Sequence, residues 1–247
     1  MPRFRLTLEY DGGPFVGWQR QDNGLSVQQA VEEAILAFCG EHPTLVAAGR
    51  TDAGVHALGQ VVHLDLVKET TPEKLQSAVN ALIRPHPVAV VAVSRVSDGF
   101  HARFDATARH YLYVILNRRP PPVLEHGRVW HLPQRLEVER MHAAAQALVG
   151  RHDFTSFRAA ECQSASPVKT LERIHVRRSG ERIEIAVRAR SFLHHQVRNI
   201  TGTLKLVGEG REPVGFVAEV LAARDRKAAG ATAPAHGLYL AAVDYPP

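Results

Sequence analysis

The residues best able to do chemistry are gathered in Gly49-Arg50-Thr51-Asp52-Ala53-Gly54-Val55-His56-Ala57. Two glycines let the backbone turn sharply while presenting a cation, a hydroxyl and a carboxylate side by side. A carboxylate so placed can serve as base or nucleophile. Taken by itself, though, an aspartate in a glycine turn is more often an Asx-turn former, and the segment alone leaves both readings open. Other chemistries find no footing. No G-x-x-x-x-G-K-[ST] follows a strand and no G-x-G-x-x-G opens a helix, which excludes the common nucleotide-binding signatures. The 14 histidines include no H-E-x-x-H, and His194-His195 are adjacent, so on a helix they would point in different directions; no metal site is expected. Cys39 and Cys162 lie outside any C-x-x-C spacing and are expected to be buried thiols. Asn199-Ile200-Thr201 matches a glycosylation sequon but falls inside an expected helix, and is set aside.

The elements that must position these residues are written in the hydropathy pattern. Arg3 to Tyr10 alternate as a strand, and Asp11-Gly12-Gly13-Pro14 breaks it into a loop carrying Phe15, Trp18 and Gln19. Ser26 with Gln29 forms a capping box for a helix whose apolar face is Val27, Ala30, Val31, Ala34, Ile35 and Phe38, with Gly40 as its stop. Short strands at Thr44–Ala48 and Leu58–Val67 bracket the Asp52 segment. A helix from Pro72 to about Ile83 and a strand at Val88–Val96 complete a split β-α-β pattern. The pattern restarts after Asp105-Ala106-Thr107. Strands are expected at His110–Asn117, Thr170–Arg177, Arg182–Arg190 and Leu238–Val243. Helices are expected at Val138–Val149, across Leu193–Val207 with Arg198 beside its apolar face, and from Pro213. The expected class is α/β (α+β), with two similar ferredoxin-like or RRM-like halves, 1–105 and 106–247, each mainly antiparallel.

Composition narrows the class further. With 247 residues, 45% hydrophobic and 22% charged, the chain is long enough for a substantial core and too balanced for a disordered or fibrous protein. The longest apolar runs reach six residues, far short of the roughly 20 that span a bilayer. The N-terminus has no apolar secretory region, and a cytoplasmic location is expected. The net charge of +5 is unevenly spread: residues 1–105 carry 9 basic and 12 acidic side chains, residues 106–247 carry 21 and 13. Of the 30 basic residues 25 are arginine, whose planar fork suits phosphates and stacks on bases. That points to nucleic acid; a GC-rich genome would explain the arginine preference equally well, but not its asymmetry.

Together these residues resemble the tRNA pseudouridine synthase A family, whose hallmark is G-R-T-D-x-G-V-H-A. Gly49 to Ala57 matches it throughout. The likeness continues, in order, through Tyr10-Asp11-Gly12 with Phe15, Gly17-Trp18-Gln19 and Gln21; Phe100 to Phe104; Ala106 to Tyr113; Ser191-Phe192-Leu193 with Val197-Arg198-Asn199; and Ala233-Pro234 with Gly237-Leu238. The resemblance implies the two halves joined into one pseudouridine-synthase-type sheet flanked by helices. It also implies isomerisation of uridine to pseudouridine at positions 38, 39 and 40 of the tRNA anticodon stem-loop.

On the same resemblance, Asp52 is the catalytic carboxylate, attacking the sugar or removing a ribose proton. Arg198 is its partner, Tyr111 stacks on the target uracil and handles the C5 proton, and Leu238 packs on the other face. Arg50 occupies the space vacated by a flipped base. Without the resemblance, Arg198 reads equally as a solvated helix arginine, Tyr111 as a strand-core aromatic and Leu238 as an ordinary strand leucine. A lone carboxylate, where a glycoside hydrolase would use two, fits an isomerase that keeps water out. A homodimer in which one tRNA touches both subunits, and no metal or organic cofactor, are implied as well. The chain departs from the family pattern at His194-His195-Gln196 and at Ala235-His236, which bears on substrate choice more than on reaction type. Two alternatives remain at this point: a tRNA-binding or folding module without turnover, and a synthase acting on another RNA.

Overall fold

A computed structural model of the chain describes residues 1–246. In chain order the strands and helices are β1 (Arg3–Tyr10), α1 (Val27–Cys39), β2 (Val46–Ala47), β3 (His56–Asp65), α2 (Pro72–Leu82) and β4 (Val88–Val96). They continue with β5 (Ala108–Leu116), β6 (Trp130–His131), α3 (Val138–Ala145), β7 (Gly150–Asp153), β8 (Val168–Ser179), β9 (Arg182–Ala189), α4 (Gln196–Gly208), α5 (Phe216–Ala223) and β10 (Leu238–Asp244). The class is mixed α/β with mostly antiparallel strand pairing. The chain divides into two compact units, Met1–Thr107 with the residues from Tyr239 onward, and Ala108–Leu238. No helix among the described residues is long and apolar enough to cross a membrane.

In the first unit the strand order is β4-β1-β3-β10, with β2 paired to β3. Alternation in β1 buries Phe4, Leu6, Leu8 and Tyr10, and each such side chain removed from water stabilises the fold by roughly 1.5–3 kcal/mol. Helix α1 buries Val27, Ala30, Val31, Ala34 and Ile35. Its start is capped by Ser26, whose hydroxyl accepts from the Gln29 N–H at 3.1 Å, and it stops at Gly40 in the left-handed region (φ 76°). Strand β3 is buried on both faces rather than alternating. Ala48, Val61 and Ala102 form a second small core with Phe100, Val243 and Tyr245, which covers the face that would otherwise meet water. Strand β10 runs parallel to β3, Tyr239 opposite His56 and Leu240 opposite Ala57. The C-terminal strand thus belongs with the first unit, although it follows the elements of 106–247 in the chain.

In the second unit the order is β5-β9-β8-β7, with β6 parallel to β5. Strands β8 and β9 form a hairpin that turns at Gly180 (φ 60°). Helix α3 ends at Ala145 and continues as a 3₁₀ turn over Gln146–Leu148, shorter than its periodicity implies, because Gly150 already opens β7. Helix α4 buries Val197, Ile200, Leu204 and Val207. Leu193 and the two histidines precede α4 instead of lying on it. His195 takes a left-handed conformation (φ 61°) at its start, and the His194 and His195 rings face each other at 4.0 Å instead of diverging. Asn199 is fully buried: its amide donates to the Phe157 carbonyl at 2.9 Å and its oxygen accepts from Arg226 and Thr232. Cys162 is buried as expected, but Cys39 is only half-buried, at the last turn of α1.

Candidate active site

The Asp52 turn, in the first unit, is fixed from several sides before Asp52 itself is considered. Its C=O accepts from the Val55 N–H at 3.1 Å, a turn closed with Gly54 at φ 75°. Next to it, Thr51 is buried. Its carbonyl accepts from the Trp18 N–H at 3.0 Å and its hydroxyl meets the Tyr10 hydroxyl at 2.8 Å. The Gly49 carbonyl accepts from the Gln60 side chain at 2.7 Å. Asp52 is left half-buried and Arg50 exposed. The backbone on either side of the carboxylate is therefore held by hydrogen bonds, so its position costs little to maintain during a reaction.

The 11–19 loop is the mould for this turn. It is tied to the start of α1 by Val27 N–H to the Gly17 carbonyl (3.1 Å) and Gln28 N–H to the Trp18 carbonyl (3.0 Å). Gly17 has φ 115° and faces the backbone of Thr51, Asp52 and Ala53, while Gly12 lies against the Val55 carbonyl. A side chain would overlap the Val55 carbonyl at Gly12, and at Gly17 it would be tight and strained by the positive φ. The Gly12 N–H donates to His56 Nδ1 at 3.0 Å, and the His56 ring stacks on Tyr239 at 4.8 Å. Burial pushes the Tyr10 phenol up to about 12, against hydrogen bonds to Thr51 and Gln60 that act the other way. Tyr10 stays neutral and holds Thr51; it is not suited to proton transfer near neutral pH.

Three of the expected site residues lie in the second unit, and Tyr113 lies beside two of them, Arg198 and Leu238. Tyr113 is fully buried on β5, donates its hydroxyl to the Pro234 carbonyl at 2.8 Å, and has its ring against Gly237, next to Leu238. Burial raises its phenol pKa strongly, with the nearby Arg198 charge opposing. Arg198, in the first turn of α4, donates Nε–H to the Ala233 carbonyl at 2.8 Å while its own carbonyl accepts from the Ala233 N–H at 3.2 Å. Tyr111 precedes Tyr113 by two residues, on the same side of β5. It is half-buried, its ring edge-on to Phe192 at 5.0 Å. Leu238 is 6% exposed where the 233–238 segment enters β10. Sequence reasoning named Tyr111, Arg198 and Leu238 but missed Tyr113 as the buried phenol that holds the Pro234–Gly237 segment before Leu238. The Tyr-x-Tyr spacing, which puts two phenols on one face, was the available signal. It missed Tyr10, Gly12 and Gly17 as the parts that shape the Asp52 turn.

Comparison with known proteins names the family. The family model described as tRNA pseudouridine synthase matches residues 7–105 and 144–246. The chain belongs to this family. Its relatives include the tRNA pseudouridine synthase A of Rhodospirillum centenum, 63% identical over 239 residues covering 97% of this chain and 98% of the relative. Those of Parvibaculum lavamentivorans and Azorhizobium caulinodans are each 57% identical, over 99% and 100% of this chain and 100% and 95% of theirs. As a member of the pseudouridine synthase family the chain is an enzyme, an isomerase. Arg50, Asp52, Arg198 and Leu238 fall within the two matched stretches, and Tyr111 falls in the interval between them.

Proposed function

We propose that this enzyme converts uridine to pseudouridine at positions 38, 39 and 40 in the anticodon stem-loop of tRNA, with Asp52 acting on the ribose. The observation that carries this reading is the turn of Asp52, clamped through Thr51 and Val55 by Tyr10, Trp18 and the close-packed glycines, in a chain whose full-length relatives are named for the tRNA reaction. The reaction breaks the N1–C1′ bond, turns the uracil and joins C1′ to C5. The C5 proton is lost and N1 gains one, so nothing is oxidised or reduced. Asp52 either attacks C1′ as the uracil departs as an anion, or takes a ribose proton to give a glycal that the uracil re-enters. Tyr111 stacks on the uracil and accepts the C5 proton, Leu238 covers the other face, and Arg198 supplies the counter-charge that keeps Asp52 ionised.

A uridine in a stem is inaccessible in place, so the target flips out at a cost of a few kcal/mol, and exposed Arg50 fills the gap. Recognition by shape and backbone rather than base sequence suits three adjacent targets. The enzyme works as a homodimer with one tRNA touching both subunits, in the cytoplasm, and needs no added cofactor. Tritium release from C5-labelled uridine in tRNA transcripts tests the reading. Wild type is expected to release tritium with the product mapped to the anticodon stem-loop, and Asp52→Asn to lose at least about a thousandfold in rate while binding tRNA within a few fold. Binding without release by wild type would mark a tRNA-binding module, and product mapped outside the anticodon stem-loop would mark a different target uridine.

A further inference from the structure

The second unit carries a cavity of about 320 Å³ at one end of its sheet, lined by Arg151, Lys169, Thr170, Glu172, Arg190 and Ser191, a volume at the low end for ligand pockets. Arg151 sits opposite Thr170 in the β7–β8 ladder, and Arg190 directly follows Ala189, the β9 residue opposite Leu171. Two guanidinium groups therefore flank a hydroxyl-bearing strand, with neighbouring strands about 4.8 Å apart. Arg151 and Arg190 are exposed, and neither is engaged by a carboxylate among the described residues. Among the described residues the Lys169 ammonium donates to the Ser164 hydroxyl, at 3.1 Å. The one acidic residue of the lining, Glu172, has its carboxylate taken by Arg188. The cavity thus holds uncompensated positive charge and hydroxyl donors, the complement of a phosphodiester.

Its place in the fold ties it to the reaction. Ser191 adjoins Phe192, whose ring packs against Tyr111, and the buried Arg109, two residues before Tyr111, donates to the Arg190 carbonyl at 2.6 Å. That bond fixes the backbone at the cavity relative to the strand that bears Tyr111. We infer that this cavity binds a backbone phosphate of the substrate RNA close to the nucleotide held at Tyr111, with Arg151 and Arg190 as its principal contacts and Lys169, Thr170 and Ser191 as supporting donors. The inference rests on the tRNA reading above and adds to it a specific anchoring site.

Binding of tRNA transcript by fluorescence anisotropy between 0.1 and 0.4 M salt tests it, alongside wild-type tritium release. Counterion release gives a slope of about 0.7 to 0.9 in log Kd against log salt per phosphate contact. On that basis alone, and with both arginines on one phosphate, Arg151→Gln with Arg190→Gln should lower the slope by about 0.7 to 0.9 and weaken binding about five- to eightfold at 0.1 M salt, shrinking to about twofold at 0.4 M. Arg151→Lys with Arg190→Lys should restore most of the slope, which a merely structural defect would not. Arg177→Gln, which removes a cation already paired with Glu184 at 2.6 Å, should change it far less. An unchanged slope in the double Gln variant, with wild type binding and releasing tritium normally, would overturn this inference alone. Wild type that neither binds tRNA nor releases tritium would overturn the function and this inference together.

Discussion

A methyl group placed on Gly12 would press on the Asp52 turn from behind. Its Cβ would stand 2.0 Å from the Val55 carbonyl oxygen and 2.5 Å from the carbonyl carbon, where real Cβ atoms essentially never approach within 3.0 Å. Either backbone must therefore give way by about 1 Å. Val55 passes the movement on, because its N–H closes the turn on the Asp52 carbonyl. Overpacking of this kind costs about 1–3 kcal/mol, a fall in Tm of about 2–12 °C for a chain of this length. On the role proposed for Asp52 the catalytic cost is larger, since a 1 Å displacement of a reacting group can lower a rate about a hundredfold. Gly12→Ala is expected to lose about two orders of magnitude in kcat for tritium release while binding tRNA nearly as wild type. Gly40→Ala is the control: it strains a left-handed helix cap (φ 76°) with nothing within 4 Å, so it should lower Tm and leave kcat intact. Retention of kcat within about threefold by Gly12→Ala, or an equal loss in Gly40→Ala, would refute the argument that turn geometry governs Asp52.

Two further expectations separate groups that the sequence alone makes look alike. Tyr113→Phe leaves the part-buried Pro234 carbonyl without its donor, a cost of about 0.5–1.5 kcal/mol, so it should read mainly as a lowered Tm. Tyr111→Phe, at a half-buried position, should read as lost turnover with Tm little changed; the opposite pattern in the two variants would reverse their assignments. His63 tests pH dependence. Burial first, then the charges of Arg3 and His101, hold its pKa below the ordinary 6.5, and its Nδ1 accepts from the Ala102 N–H at 3.1 Å. The unfolded chain therefore takes up the proton more readily than the folded one, so this stabilisation is complete above pH 6.5 and is lost as pH falls through the lowered folded value. The Tm gap between wild type and His63→Asn should narrow from pH 7 to pH 5, and a constant gap over that range would show that His63 does not titrate with folding.

What could be read from the sequence was what is local. Alternation reported β1, and Ser26, Gln29 and Gly40 reported both ends of α1, because these signals depend on neighbours within a few residues. The second buried face of β3 could not be read that way: its cover comes from Phe100, Ala102, Val243 and Tyr245, up to 184 residues distant from Val61. The same holds for β10, whose apolar run announces a strand but not the parallel pairing with β3. The candidate site divides along this line. Asp52 and Arg50 stand out in the sequence because chemical groups crowd into nine residues. Gly12 and Gly17 look like ordinary turn glycines until Val55 and Thr51 are found pressed against them, and Thr51 looks like a surface hydroxyl until Tyr10 is found over it. Their work is to exclude a side chain or to satisfy one distant hydroxyl, and neither leaves a periodic trace. The residues proposed to do chemistry are thus legible as types, while those that hold them in place are legible only through the long-range contacts of the folded chain.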